Sequence, residues 1–124
     1  MYTQYAYTYS MKATFVEMTT FSKYRADYLS DESFRDLQLE LLANPRKGDT
    51  ISGTGGLRKV RWADKKRGKG KRGGTRIVYY FFDHGNQFWL FLIYDKDELT
   101  DLDSKQKKTF KMALEKEINA RQSS

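Results

Sequence analysis

The chain contains no cysteine. Disulfides, thiolate nucleophiles and cysteine-ligated zinc are excluded together. That absence is compatible with a reducing compartment, and a cytoplasmic location is the expectation. His84 is the only histidine, so a ribonuclease mechanism that pairs two histidines within one chain is excluded. Long apolar runs are also missing. The longest, near Ile77 to Phe82 and Phe88 to Tyr94, fall far short of the about 20 residues a membrane span needs, so no membrane association is expected. The first ten residues, MYTQYAYTYS, have neither a basic nor an apolar region of the kind a signal peptide carries. The GTGG stretch at 53–56 lacks the closing Gly-Lys-Ser/Thr of a P-loop.

What is present is a single domain's worth of chain, 124 residues with 39% hydrophobic and 15% aromatic content. That is enough apolar mass for one modest core. A Tyr-rich extension over residues 1–10 is expected to precede one domain over 11–124. The net charge is +7, and it is unevenly spread. Residues 46–76 hold twelve basic side chains against two acidic ones, a net of +10, whereas the other 93 residues net −3. A quarter of the chain thus carries all of the positive excess, which points to a polyanionic partner. Eight glycines are interleaved with those cations. Glycine permits close approach of backbone to a ligand, but it also loosens a loop, so it fits a solvated connection equally well.

The coarse pattern is strand, two helices, three strands and a helix. Lys12 to Glu17 alternates as a first strand. Thr19 or Thr20 is a candidate cap for a helix with Phe21, Tyr24 and Tyr28 on one side. Ser30 caps a second helix, with Asp31 and Glu32 in its first turn and Phe34, Leu37 and Leu41 as its apolar stripe. Asn44-Pro45 ends it. Residues 48–56 read as a loop, Leu57 to Trp62 as a strand, 64–74 as a glycine-lysine connection and Thr75 to Phe82 as a central strand. Residues 83–86 form a turn, in which a structural role for His84 outweighs a catalytic one. Gln87 to Tyr94 is the last strand. Asp103 and Gln106 stand at capping-box spacing before a helix with Phe110, Leu114 and Ile118 on its apolar face. This order predicts an α+β fold: a small antiparallel sheet packed with an N-terminal helical pair and a C-terminal helix. The helices are expected on one face, leaving the other for a ligand.

Lys59 and Arg61, two apart on a strand, leave the same face about 7 Å apart. Arg76 opens the next strand and can join them. Three converging cations can grip phosphates or stabilise charge in phosphoryl transfer. The competing interpretation is a basic sheet edge that discourages aggregation. Tyr79, Tyr80, Trp89 and Tyr94 are possible stacking platforms for bases, although most strand aromatics are core. Tyr94, next to a polar turn that contains Lys96, is the best of them. The carboxylates Asp95, Asp97, Glu98, Asp101 and Asp103 read as turn and helix-start residues rather than metal ligands. No metal or cofactor is expected.

Two glycine-basic blocks, Gly53-Thr-Gly-Gly-Leu-Arg-Lys-Val-Arg61 and Lys69-Gly-Lys-Arg-Gly-Gly-Thr-Arg-Ile-Val-Tyr-Tyr80, resemble those of RelE/HigB-type toxins of bacterial type II toxin–antitoxin systems. The HigB branch is closest, and Leu92-Ile-Tyr-Asp-Lys-Asp-Glu98 matches it too. The resemblance runs from Met11 to about Ile118. It implies a RelE-like fold and a ribosome-dependent mRNA interferase, a metal-independent endoribonuclease that cuts mRNA in the A site by attack of a 2′-hydroxyl, inhibiting translation. It implies the ribosome and mRNA as partners. It also implies a cognate HigA-like helix-turn-helix antitoxin, through which DNA is contacted only indirectly. Carried over, the catalytic set is Lys59, Arg61, Arg76 and Lys96. Arg61 and Arg76 would stabilise charge, with Lys59 and Lys96 as candidate proton acceptors. RNA binding falls to Arg58, Lys65, Lys66, Arg67, Lys69, Lys71, Arg72 and Tyr94. The sequence departs from some family members at Asp97 and Leu102, where an arginine and a tyrosine would stand, and Tyr94 is the candidate replacement for that tyrosine. The alternative is a non-catalytic RNA- or ribosome-binding module that uses the same patch.

Overall fold

The computed structural model describes residues 2–3, 13–63, 74–99 and 101–122. Its elements are β1 (Tyr2–Thr3), β2 (Thr14–Met18), α1 (Thr19–Tyr28), α2 (Asp31–Ala43), β3 (Asp49–Thr50), β4 (Arg58–Trp62), β5 (Thr75–Phe82), β6 (Gln87–Asp95) and α3 (Ser104–Gln122). The strands form one sheet in the order β1-β2-β6-β5-β4-β3. The fold is α+β, with the three helices in the expected positions. No helix among the described residues is long and apolar enough to cross a membrane.

The sheet differs from the sequence reading in two details. The sheet is mixed rather than antiparallel throughout, because β2 runs parallel to β6, with Phe15 opposite Phe88. The physical reason is the crossover: β2 leads into α1 and α2, which carry the chain away before β4, β5 and β6 return by antiparallel steps. Parallel strands need such a connection. Two short strands also lie where none was expected. Asp49 and Thr50 pair with Lys59 and Arg58, and Tyr2 and Thr3 pair with Met18 and Glu17.

The helices occupy both faces, which corrects the expectation of one open face. Ile77, Val78 and Tyr79 are all fully buried in β5, as are Trp89 and Leu90 in β6. Consecutive buried residues point to opposite faces, so both faces must be covered. On one face Phe15, Tyr79 and Phe88 pack with Phe21, Phe34, Leu37 and Leu41 of α1 and α2. The Phe15 and Phe88 rings stack at 4.7 Å. On the other face Val78, Trp89 and Phe91 pack with Leu114, Phe110 and Ile118 of α3.

Local chemistry explains the helix ends. Ser30 caps α2, its Oγ accepting from the Ser33 N–H at 3.1 Å. At α3 the Asp103 and Gln106 side chains accept each other's backbone N–H at 2.8 and 3.0 Å, a reciprocal box. Neither threonine caps α1. Met18 is its N-cap residue, and the Thr20 hydroxyl instead donates across to the Phe91 carbonyl. After α2 the chain turns through Pro45 to Gly48 and is clamped to the sheet by Tyr79. That hydroxyl donates to the Pro45 carbonyl at 2.9 Å and accepts from the Gly48 N–H at 3.0 Å. A Cβ on Gly48 would lie 2.9 Å from the Lys59 carbonyl oxygen, so glycine is required for that close approach.

Candidate nucleic-acid interface

Strand register assembles the site. Arg61 of β4 lies opposite Arg76 of β5, and Arg76 lies opposite Tyr94 of β6. These three residues form one row across three adjacent strands, spaced by the inter-strand distance of about 4.8 Å. Lys59 precedes Arg61 by two on β4 and shares its face. This is the α3 face, because Tyr94 joins the same apolar cluster as Val78, Leu102 and Leu114. The row lies at one end of the sheet, where α3 begins, and the turn with His84 lies at the other end.

The members differ in exposure. Arg61 is exposed, Lys59 is half-buried, and Arg76 and Tyr94 are only 7% and 5% exposed. Arg76 donates from Nη1 to the Gly74 carbonyl at 3.0 Å. Its burial, and then the adjacent Arg61 charge, lower its pKa from the ordinary arginine value, while Tyr94 and Asp95 oppose that shift. A guanidinium keeps its proton under such conditions. Arg76 is therefore a fixed, buried positive charge beside the exposed Arg61.

The Tyr94 hydroxyl is buried and has no hydrogen-bond partner among the described residues. Burial, and secondarily the Asp101 carboxylate, raise its pKa above 10, with Arg76 opposing. It is a neutral phenol at physiological pH and available as a donor. Asp101 also pairs with Lys59, Oδ1 to Nζ at 3.6 Å. By sequence this carboxylate belongs with the turn and helix-start acids. Its only sequence signal was its place two residues before the α3 cap, and that signal does not reveal that the chain folds it onto β4.

The structure does not gather every residue expected at the site. Arg58 points to the opposite face of β4 from Lys59 and Arg61. Its Nη1 donates to the Gly48 and Arg46 carbonyls at 2.8 and 3.3 Å, which ties down the turn after α2. Lys96 is exposed in the turn after β6, and its backbone N–H donates to the Gly74 carbonyl, beside the Arg76 contact. Glu98 holds that turn by accepting from the Asp95 N–H at 3.1 Å and from the Tyr28 hydroxyl. Tyr79 and Trp89 are core residues, and Tyr80 packs on Trp89 with ring centroids 5.3 Å apart. His84 sits at the β5–β6 turn, its ring 5.6 Å from that of Phe82. Lys65, Lys66, Arg67, Lys69, Lys71 and Arg72 lie outside the described residues.

The glycine block before β4 has a local structural function. Gly53, Gly55 and Gly56 have φ of 81°, 81° and 125°, values that disfavour any side chain. Between them the buried Thr54 hydroxyl donates to the Ile51 carbonyl at 2.6 Å and accepts from the Leu57 N–H at 3.2 Å. The loop is thereby closed and delivers β4 in register.

No family model matches the sequence. Among solved structures, the chain is similar to that of a mutant of the Escherichia coli toxin RelE in the free state. The sequence identity is 15% and the TM-score 0.47, with 69% of this chain and 85% of that chain covered.

Proposed function

We propose that the protein is the toxin of a toxin–antitoxin pair, a metal-independent endoribonuclease that cleaves mRNA in the ribosomal A site. The observation that carries this reading is the Arg61–Arg76–Tyr94 row with Lys59 beside it, together with the glycine-basic blocks that resemble HigB-type toxins. In the proposed reaction a 2′-hydroxyl oxygen attacks the adjacent phosphorus and the bond to the 5′-oxygen breaks. The products are a 2′,3′-cyclic phosphate and a free 5′-hydroxyl. The attacking hydroxyl loses its proton to a base, for which Lys59 and Lys96 are the candidates, and the departing 5′-oxygen gains one. Arg61 meets the phosphate directly. Arg76 adds fixed positive charge behind it, worth most where water is excluded. Tyr94 lies beside Arg76 as a stacking surface or hydroxyl donor. Residues 65–72 grip RNA, and a HigA-like helix-turn-helix antitoxin neutralises the protein.

A second reading, a non-catalytic RNA- or ribosome-binding module, is favoured by one observation: Arg76 is buried and its guanidinium is engaged with backbone carbonyls. One experiment separates the two. The chain is induced from a tight promoter and mRNA 5′ ends are mapped for the wild type, Arg61→Ala and Arg76→Ala. Codon-phased cleavage that disappears in Arg61→Ala supports the nuclease. Growth arrest without cleavage favours the binding module. A short helix-turn-helix reading frame beside the gene would favour the toxin reading.

A further inference from the structure

Helix α3 carries a lysine stripe whose placement works against the helix. Lys105 and Lys107 lie in its first turn and Lys108 and Lys111 just beyond, with no acidic side chain before Glu115. Cations near a helix N-terminus oppose the macrodipole, and stability alone favours acids there. The same chain follows that rule in α2, where Asp31 and Glu32 occupy the first turn. Leu114 is the only buried residue of the helix, and Lys107 is half-buried. Lys105, Lys108 and Lys111 are exposed.

The stripe adjoins the loop that leads into the strand patch. Asp101, which pairs with Lys59, lies two residues before the Asp103 cap. The stems of Lys107 and Lys111 lie over the glycine loop that leads into β4. A Cβ on Gly53 would come within 3.7 Å of Lys107 Cδ, and one on Gly55 within 3.6 Å of Lys111 Cγ. Lys107 and Lys111 are one turn apart, about 6 Å along the axis. The α3 lysines thus lie over the loop that leads into the strand of Lys59 and Arg61.

We infer that Lys105, Lys107, Lys108 and Lys111 of α3 form a second polyanion-binding surface that extends the strand patch and holds the phosphate backbone of RNA outside the cleavage site. This inference rests on the proposed RNA-directed function and adds the route of the bound strand. The stripe binds charge rather than sequence, so it acts through counterion release and is strongly salt-dependent. The Asp103 cap already occupies the Gln106 N–H, so the binding groups are the ammonium groups and not the helix terminus.

The test uses the full-length protein and a short fluorescein-labelled oligouridylate, with affinity measured across a salt series. The wild type is compared with a variant in which all four lysines are glutamine, and with Lys59→Ala/Arg61→Ala. The melting temperature is measured alongside. The four-glutamine variant is expected to lower the slope of log affinity against log salt by about 0.7 for each lysine lost, with an unchanged or higher melting temperature. An unchanged slope and affinity overturns the inference while leaving the proposed function standing, provided that the Lys59/Arg61 variant binds more weakly. A melting temperature that falls with affinity assigns the lysines to folding and also overturns it. A wild type that binds no oligouridylate overturns the inference, whereas the function on which it rests is overturned only if the mapped mRNA 5′ ends also show no cleavage.

Discussion

The two faces of the sheet contain neighbouring basic residues in different surroundings. On the α1/α2 side, Arg58 is bonded to two carbonyls and fastens the turn after α2. One residue on, Lys59 leaves the opposite face, and Arg61 shares that face in line with Arg76 and Tyr94. The α1/α2 face is a continuous aromatic and aliphatic core. The α3 face is core over part of its area and cationic at the end where α3 begins. The lesson is that a basic run on a strand does not act as a unit. Strand alternation divides it, and the packing on each face determines whether a cation is structural or functional.

The contrast is broken most severely within the α1/α2 core. Phe88→Ala removes a buried ring stacked on Phe15 and should cost about 3–5 kcal/mol in urea unfolding. A comparable loss from Arg61→Ala would mean that the two faces do not differ as described. Arg61 is exposed, so its truncation should change stability by no more than about 0.5 kcal/mol, while lowering RNA cleavage about 100-fold.

Tyr79→Phe is expected to cost about 1–3 kcal/mol without touching the patch, because it strands the Gly48 N–H and the Pro45 carbonyl. Equilibrium unfolding with cleavage assayed in parallel checks both halves. Ser30→Ala should cost about 1 kcal/mol through the lost α2 cap.

The smallest effects are in the pH profile. The Tyr94 and Tyr79 phenols are both held above 10, chiefly by burial. A group raised on folding contributes stability below its unfolded pKa and loses it as pH rises through the folded value. Stability should therefore decline above about pH 10, and Tyr94→Phe should flatten part of that decline. Glu17 on β2 is likewise raised above 4.5 by burial, with Arg25 opposing. Its contribution is lost as pH rises from 4.5 through the folded value, so Glu17→Gln should weaken the pH dependence on the acid side.

Much of this architecture was legible in the sequence because it depends on local chemistry. Ser30 before Asp31-Glu32, Asn44-Pro45, and Asp103 with Gln106 mark helix ends where the structure has them. The runs 75–82 and 87–94 are strands. What could not be read depends on contacts between distant residues. The parallel β2–β6 pairing follows from where the crossover returns, and nothing in Thr14 to Met18 encodes it. For Lys59 and Arg61, strand spacing suffices to put them on one face. The meeting of Asp101 with Lys59 needs the whole path through β5 and β6. Alternation alone puts Arg58 on the other face of β4; that it holds the turn at 45–48 needs that turn in place to receive it.

The most direct measurement compares Arg58→Ala with Arg61→Ala, scoring unfolding free energy and mapped mRNA 5′ ends for each. The expected result is a destabilised Arg58 variant that still cleaves at a temperature where it is folded, and a fully stable Arg61 variant that does not. An Arg61 variant that cleaves as the wild type does would contradict the assignment of chemistry to the α3 face.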